Sequence, residues 1–164
     1  MIQRFNTHDK NKYPALLDFI KNNQDEDFYL TENNDRVYVT DAISLRKMFK
    51  NSKDVYVFED KGDYQAFCLS WKSIGGEKTR YYIKLLAANT EAASNLLRCF
   101  LWQVTDELFV KINKKHIFLD VFKKYGFKFI GGRGRQVLLK RDKFIKPIEH
   151  EFLAREGKDN ADYN

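Results

Sequence analysis

Two cysteines, two prolines and eight glycines are all that 164 residues offer in covalent or turn-forming constraints. Two cysteines cannot frame a disulfide scaffold. Cys68 falls in the strand-like stretch 66–71 and Cys99 in the helix-like stretch 96–101, so both read as small buried hydrophobes. The three histidines (His8, His116 and His150) lie far apart, and no Cys/His spacing of the zinc type exists, so no metal is expected. No apolar run approaches the roughly 20 residues that span a bilayer, which argues against membrane insertion. The first nine residues lack the apolar stretch of a secretory signal, and a cytoplasmic protein is expected. There is no internal repeat and no Pro- or Ser-rich linker, and Pro14 and Pro147 sit near the ends.

What is present is aromatic and charged. Apolar residues make up 43% of the chain, with 14 Phe and 9 Tyr to fill a core, while 32% charged residues keep it within the globular range. A chain of this length buries roughly 70% of its unfolded surface without disulfide or metal support. One domain over residues 1–146 is expected, with a tail 147–164 that begins as a short helix and ends disordered. The net charge of +6 is local: residues 107–146 hold 12 Lys/Arg against 3 Asp/Glu, a surplus of +9.

Periodicity orders the elements. A short strand at 2–5 precedes a helix from Tyr13, with Leu16, Leu17 and Ile20 at helical spacing and Pro14 in its first turn. Residues 28–40 read as a small hairpin or an irregular lid around Asn33, Asn34 and Asp35. Asp41 is positioned to cap a helix over 42–51. Strands at 55–58, 64–71 and 81–87 follow as an antiparallel meander, turning at 59–63 and 73–78. A helix capped by Asn89 or Thr90 runs to about Thr105, then come a strand at 108–112, a helix over 114–125 stopped by Gly126, and a hairpin of strands 127–130 and 136–140 around Gly131–Arg135. The fold class is a mixed sheet of about six to seven strands with about four helices, a three-layer α+β or α/β domain.

The run His116-Ile117-Phe118-Leu119-Asp120-Val121-Phe122, followed by Lys123-Lys124-Tyr125-Gly126-Phe127 and a strand, resembles the last helix and its Gly-Phe exit in the GNAT superfamily of acyl-CoA-dependent N-acetyltransferases. The order of elements over about residues 1–142 is also similar to that superfamily's. The resemblance implies that the strands at 78–88 and 108–112 splay apart and take the pantetheine arm of acetyl-CoA or another acyl-CoA between them. It places the groove along Leu85, Leu86, Ala87 and Ala88, with an amide near Leu86 or Ala88 aimed at the acyl oxygen. The pyrophosphate would meet the helix start around Asn89, Thr90, Ala92, Ala93, Ser94 and Asn95. Two positions depart from the family pattern. Of its glycine-rich phosphate loop only Ala93 fits, with Glu91 where a glycine is usual, and Phe122 stands where many members carry a tyrosine that protonates the departing thiolate.

Tyr125, one turn onward, is the remaining candidate acid or else a packing tyrosine. Glu59, with Asp60, is the candidate base or else part of a solvated turn. His116 is a second base candidate or a partly exposed polar residue. Lys84, the odd residue of its strand, either points into the cleft or reaches solvent along an edge. Lys114, Lys115, Lys123, Lys124, Arg133 and Arg135 form a candidate face for an anionic ligand, either nucleic acid or a coenzyme tail, or else a solvated basic surface. Three functions stay open: an N-acyltransferase acting on a small-molecule or macromolecular amine; a non-catalytic interaction module of the same fold binding nucleic acid through residues 111–146; and a DNA-base-modifying enzyme on that fold.

Overall fold

The computed structural model describes residues 1–75 and 78–143. Along the chain run β1 (Ile2–Arg4), α1 (Tyr13–Asn23), β2 (Leu30–Glu32), β3 (Asp35–Val37), α2 (Ala42–Lys50), β4 (Ser52–Asp60), β5 (Asp63–Gly75) and β6 (Lys78–Ala87). Then come α3 (Thr90–Gln103), β7 (Leu108–Asn113), α4 (Leu119–Lys124), β8 (Lys128–Arg133) and β9 (Gln136–Arg141). Seven strands form one sheet in the order β1-β4-β5-β6-β7-β9-β8, and β2 pairs with β3 separately. Every neighbouring pair is antiparallel except β6 with β7, whose parallel relation follows from the α3 crossover between them. The expected mixed sheet with four helices is therefore the observed one.

Local chemistry explains the boundaries. Asp41 and Ser44 make a reciprocal capping box at the start of α2, each side chain taking the other's backbone N–H. Asn89 caps α3 by accepting the Ala92 N–H at 2.8 Å. Residues 28–40 form the hairpin, not the lid, because Asn33 and Asn34 both adopt positive φ, 52° and 69°, as a tight two-residue turn demands. Lys61 and Gly62 do the same between β4 and β5. Two apolar layers sandwich the sheet. On one face Leu96, Leu97, Phe100 and Phe122 of α3 and α4 cover Ile83, Leu85, Val110 and Ile112. On the other, Leu16, Ile20, Leu45 and Met48 of α1 and α2 cover Val55, Val57, Phe67 and Leu86.

Three expectations are corrected. The last helix begins at Leu119, not at residue 114, so Lys114 and Lys115 do not lie on it. Side chains compete for the backbone there: Asn113 Oδ1 accepts the Lys115 N–H and His116 Nδ1 accepts the Phe118 N–H. The last hairpin is tighter than expected, since β8 runs through Gly131 and Gly132 to Arg133. A Cβ on Gly132 would stand 2.7 Å from the Gln136 carbonyl oxygen, so only glycine permits that approach. Cys99 is half-buried, while Cys68 is fully buried. The expected tail from Pro147 lies outside the described residues. Among those described, no helix is long and apolar enough to cross a membrane.

β9 ends on a tie that fixes the lower end of the sheet. The buried Arg141 guanidinium donates to the carbonyls of Leu101 at 3.2 Å, Val104 at 2.7 Å and Asp106 at 3.3 Å, where α3 leaves its last carbonyls without helical partners. Replacing it strands those acceptors. We expect Arg141→Met to cost about 2–3 kcal/mol in urea unfolding with an unchanged m-value. Arg141→Lys should recover only part of this, because an ammonium cannot reproduce the planar fork.

Candidate active site

β6 and β7 pair at only two positions, Tyr81 with Leu108 and Tyr82 with Phe109, although β6 continues to Ala87 and β7 to Asn113. Beyond those pairs the strands part. Ala88 donates its N–H to Gln65 at 2.9 Å across the β5 side. By strand alternation the amides of Leu86 and Lys84 also face β5, and those of Leu85 and Ala87 face the gap. The N–H groups of Leu86 and Ala88, near which an amide for the acyl oxygen was expected, thus face β5 and not the gap. On β7, Lys114 donates to the Arg135 carbonyl on the β9 side, so Lys111 and Asn113 present their amides to the gap. The crevice between the strands has room for about 20 Å³, roughly one water molecule. Lys84, Lys111, His116, Phe118 and Phe122 contribute to its walls.

The segment from α1 to β2 closes over the mouth of this gap. Asp27 Oδ2 accepts the Asn113 N–H at 3.0 Å, standing in for the strand that is not there, and Oδ1 accepts from Gln136 Nε2 at 3.3 Å. Glu26 Oε1 accepts from Asn113 Nδ2 at 3.1 Å. Asp25 lies 2.6 Å from His116 Nε2. Because His116 Nδ1 accepts the Phe118 N–H at 3.0 Å, the ring carries its proton on Nε2 and donates it to Asp25. Both ring nitrogens are thus committed to the protein, and His116, its side chain 12% exposed, orients the acidic segment and has no lone pair to offer a substrate. Burial pushes Asp25 up, but the bonds from His116 and the Asp27 N–H outweigh it, and its pKa lies below the usual carboxylate value. One ligand atom each of Asp25, Asp27 and His116 lie within 4.8 Å of one another, the spacing of a metal site. All their carboxylate oxygens and ring nitrogens already take part in protein hydrogen bonds.

Lys84 and Lys111 are the lysines of the crevice walls. Lys84 is the more enclosed of the two. Its side chain emerges on the α1/α2 face, the face of Leu86, with Nζ 4.6 Å from the Tyr29 ring centre and 5.3 Å from that of Trp71. Among the described residues it makes no hydrogen bond or ion pair. Burial pushes its pKa down to about 8, with Lys111 and Arg36 adding to the fall and Asp27 and Asp25 opposing it. Lys84 does not reach along an edge into open solvent; its ammonium lies between Tyr29 and Trp71. The sequence marks it only as a charge inside an apolar strand; the aromatic walls come from residues 13 and 55 positions away.

The other candidates fall in two places. At the start of α3 the N–H groups of Thr90 and Glu91 find no acceptor among the described residues, whereas those of Ala92 and Ala93 are taken by Asn89. Ala92 and Ala93 turn their methyl groups into the core. Ser94, one turn on, meets the Tyr125 hydroxyl at 2.8 Å, which brings the end of α4 to this helix start, with Lys124 Nζ over the Tyr125 ring. Glu59 is elsewhere. It sits two strands from β6 beside Tyr64, in the α1/α2-side core, and the structure does not bring it to Tyr125. Asp60 is exposed in the same turn. Of the basic residues, Lys114, Lys115 and Arg135 line a depression of about 570 Å³ with Asp25, Asp27 and His116. Lys123, Lys124 and Arg133 are exposed outside it.

The strand edges have the chemistry that an extended amide arm such as that of coenzyme A requires, while the crevice between them has room for about one water molecule. The gap-facing amides are those of Leu85, Ala87 and Lys111, and at the helix start the N–H groups of Thr90 and Glu91 find no acceptor among the described residues. The Glu91 carboxylate stands at that same turn, and only Ala88 and Asn89 connect β6 to α3.

No family model matches the sequence, and no curated protein does. Solved structures do match. The ribosomal-protein-alanine N-acetyltransferase of Brucella melitensis shares 12% identity over 87% of this chain and 99% of its own, with a TM-score of 0.63. The aminoglycoside 6'-N-acetyltransferase of Enterococcus faecium shares 10% identity over 90% and 99%, with a TM-score of 0.60. A GNAT family acetyltransferase from Elizabethkingia anophelis, solved with acetyl-CoA bound, shares 13% identity over 87% and 97%, with a TM-score of 0.55. At such identities it is the architecture that is held in common, and the fold of this chain is that of the GNAT acetyltransferases.

Proposed function

We propose that this protein is an N-acyltransferase that moves an acetyl or other acyl group from acyl-CoA to an amine. The observation that carries the reading is the parting of β6 and β7 after two pairs, which leaves the amides of Leu85, Ala87 and Lys111 facing a gap in an acetyltransferase fold. Acyl-CoA supplies an activated thioester; the rest falls to the chain. The gap-facing edges hold the thioester arm as an added strand, and the Leu85 or Ala87 N–H is aimed at the acyl oxygen. The amine enters from the α1/α2 face, past the acidic segment 25–27, which favours an ammonium. Lys84, with its pKa near 8, takes the proton that the amine must lose before it attacks. Tyr125, held by Ser94, is the proton source nearest the helix start, and Lys123 and Lys124 beside it supply the positive charge that the short β6–α3 connection lacks. In this reading the basic face serves the coenzyme.

Calorimetric titration with acetyl-CoA tests the proposal, and an absence of binding would sink it. Thr90→Pro preserves the first turn of α3, where proline is tolerated, and deletes one free N–H. It should weaken binding at least about tenfold. Glu91→Gln should tighten it about two- to fivefold by removing the opposing charge.

Lys84→Met separates structure from chemistry. The ammonium is destabilised by burial, so the folded state binds its proton less firmly than the unfolded chain, and this contribution to stability rises as pH climbs from about 8 towards the ordinary value of 10.5. The variant should therefore be as stable as the parent or more so at pH 7, with the difference shrinking towards pH 10. If Lys84 is the base, parent activity with an amine acceptor rises through about pH 8, and the variant loses that rise. A variant that keeps the same pH profile would remove Lys84 from the reaction.

A further inference from the structure

The depression of about 570 Å³ beside the gap shares Asp25, Asp27 and His116 with the crevice between β6 and β7. Its lining carries both signs of charge. Asp25, Glu26 and Asp27 come from the segment after α1, and Lys114, Lys115 and Arg135 from the turns that follow β7 and β8. We infer that this depression selects the acceptor, and that the acceptor is a primary amine that also carries a carboxylate or a phosphate. The inference rests on the acyltransferase reading and names its substrate class.

Backbone bonds hold the three cations close together. The Lys114 N–H donates to the Arg135 carbonyl at 2.8 Å, and Asn113 Oδ1 accepts the Lys115 N–H at 2.9 Å. The carboxylates are fixed as firmly, by Asn113, Gln136 and His116. Yet the two sets do not neutralise each other. Among the described residues, Lys114, Lys115 and Arg135 form no ion pair with these carboxylates or with any other. A plain ammonium would gain from one set and be repelled by the other, and a plain anion would fare no better. A molecule with both charges gains from both. The bonded carboxylates keep their charge and a second lone pair on each oxygen for an ammonium. The planar fork of Arg135 suits a carboxylate or phosphate, which it can hold through two parallel N–H groups. An amine bound in this way lies beside Asp25 and Asp27, which also line the crevice at Lys84. Lys123 and Lys124, at the coenzyme end, lie outside the depression, so the two anionic groups do not compete.

The test is the initial rate of CoA thiol release by the full-length protein at saturating acetyl-CoA, with β-alanine, phosphoethanolamine, propylamine or putrescine as acceptor. The kcat/KM for β-alanine or phosphoethanolamine should exceed that for propylamine about tenfold or more, and the better of the two tells carboxylate from phosphate. Putrescine, with two ammonium groups, should show no such gain. In the double variant Lys115→Gln/Arg135→Gln the ratio of the anionic amine to propylamine should fall about fivefold or more. A variant that only loosened the fold or the coenzyme site would lower both rates and leave the ratio as it was. An unchanged ratio, or propylamine or putrescine as the best acceptor, would overturn the inference and leave acyl transfer standing. Acetyl-CoA binding with no transfer to any of these amines would overturn it as well. No binding of acetyl-CoA would instead remove the reading on which it rests, and the inference with it.

Discussion

The refusal of β6 and β7 to stay paired is the constraint on which the rest of this structure depends. A parallel pair between strands of this length would leave no gap and no free amides. The separation persists because each strand is held elsewhere: β6 along its whole length by β5, β7 by β9, and both from below by Phe118 and Phe122. The edges so created carry backbone groups that fold stability alone would not leave open. At Asn113 the protein meets the difficulty with the Asp27 carboxylate. At Leu85, Ala87 and Lys111 it leaves strand donors and acceptors pointing into one narrow space.

That substitution explains why the acidic segment is ordered as it is. Asp25, Glu26 and Asp27 would repel one another if left bare, yet each finds a donor on β7, β9 or the turn before α4. His116 is the hinge of the arrangement. One ring nitrogen stabilises its own turn and the other grips a carboxylate 91 residues earlier. An imidazole between a carboxylate and a free nucleophile is a familiar catalytic geometry, but here the second nitrogen is already occupied. In the proposed reading the base is therefore Lys84, a charged group at the gap without a hydrogen bond or ion pair among the described residues, whose aromatic neighbours hold its stem and deny it water.

Much of this fold was legible because short-range chemistry and tertiary packing agree. Asp41 with Ser44, Asn89 before Thr90, and Gly126 after α4 announce their helix ends within a few residues. The strands of the meander are readable from their apolar alternation. The site was legible only where it lies on such elements. Residues 114–118 have the composition of a helix start, and the side-chain bonds of Asn113 and His116 that prevent one are invisible to periodicity. The pairing of His116 with Asp25 depends on bringing two distant loops together, for which one sequence carries no signal. Which amides face the gap was not legible for a different reason. Strand parity reverses with a single step, and only the bond from Ala88 to Gln65 determines it.

In the proposed reading, the charged end of the site is a helix start that works without a glycine-rich loop. A glycine-rich turn binds phosphate through many backbone donors, which are fixed and little affected by salt. Here Asn89 uses two of the first four N–H groups of α3, and Glu91 answers the helix dipole that an anion would otherwise feel. Any anion at this helix start must displace that local compensation. In the proposed reading the cations that do so are on the last turn of α4, Lys123 and Lys124, next to the Tyr125 that meets Ser94. Side-chain ammonium groups are screened by ions to a degree that buried amides are not. In the proposed reading, coenzyme affinity in this chain therefore depends on ionic strength more steeply than a backbone cradle would, and that dependence belongs to α4.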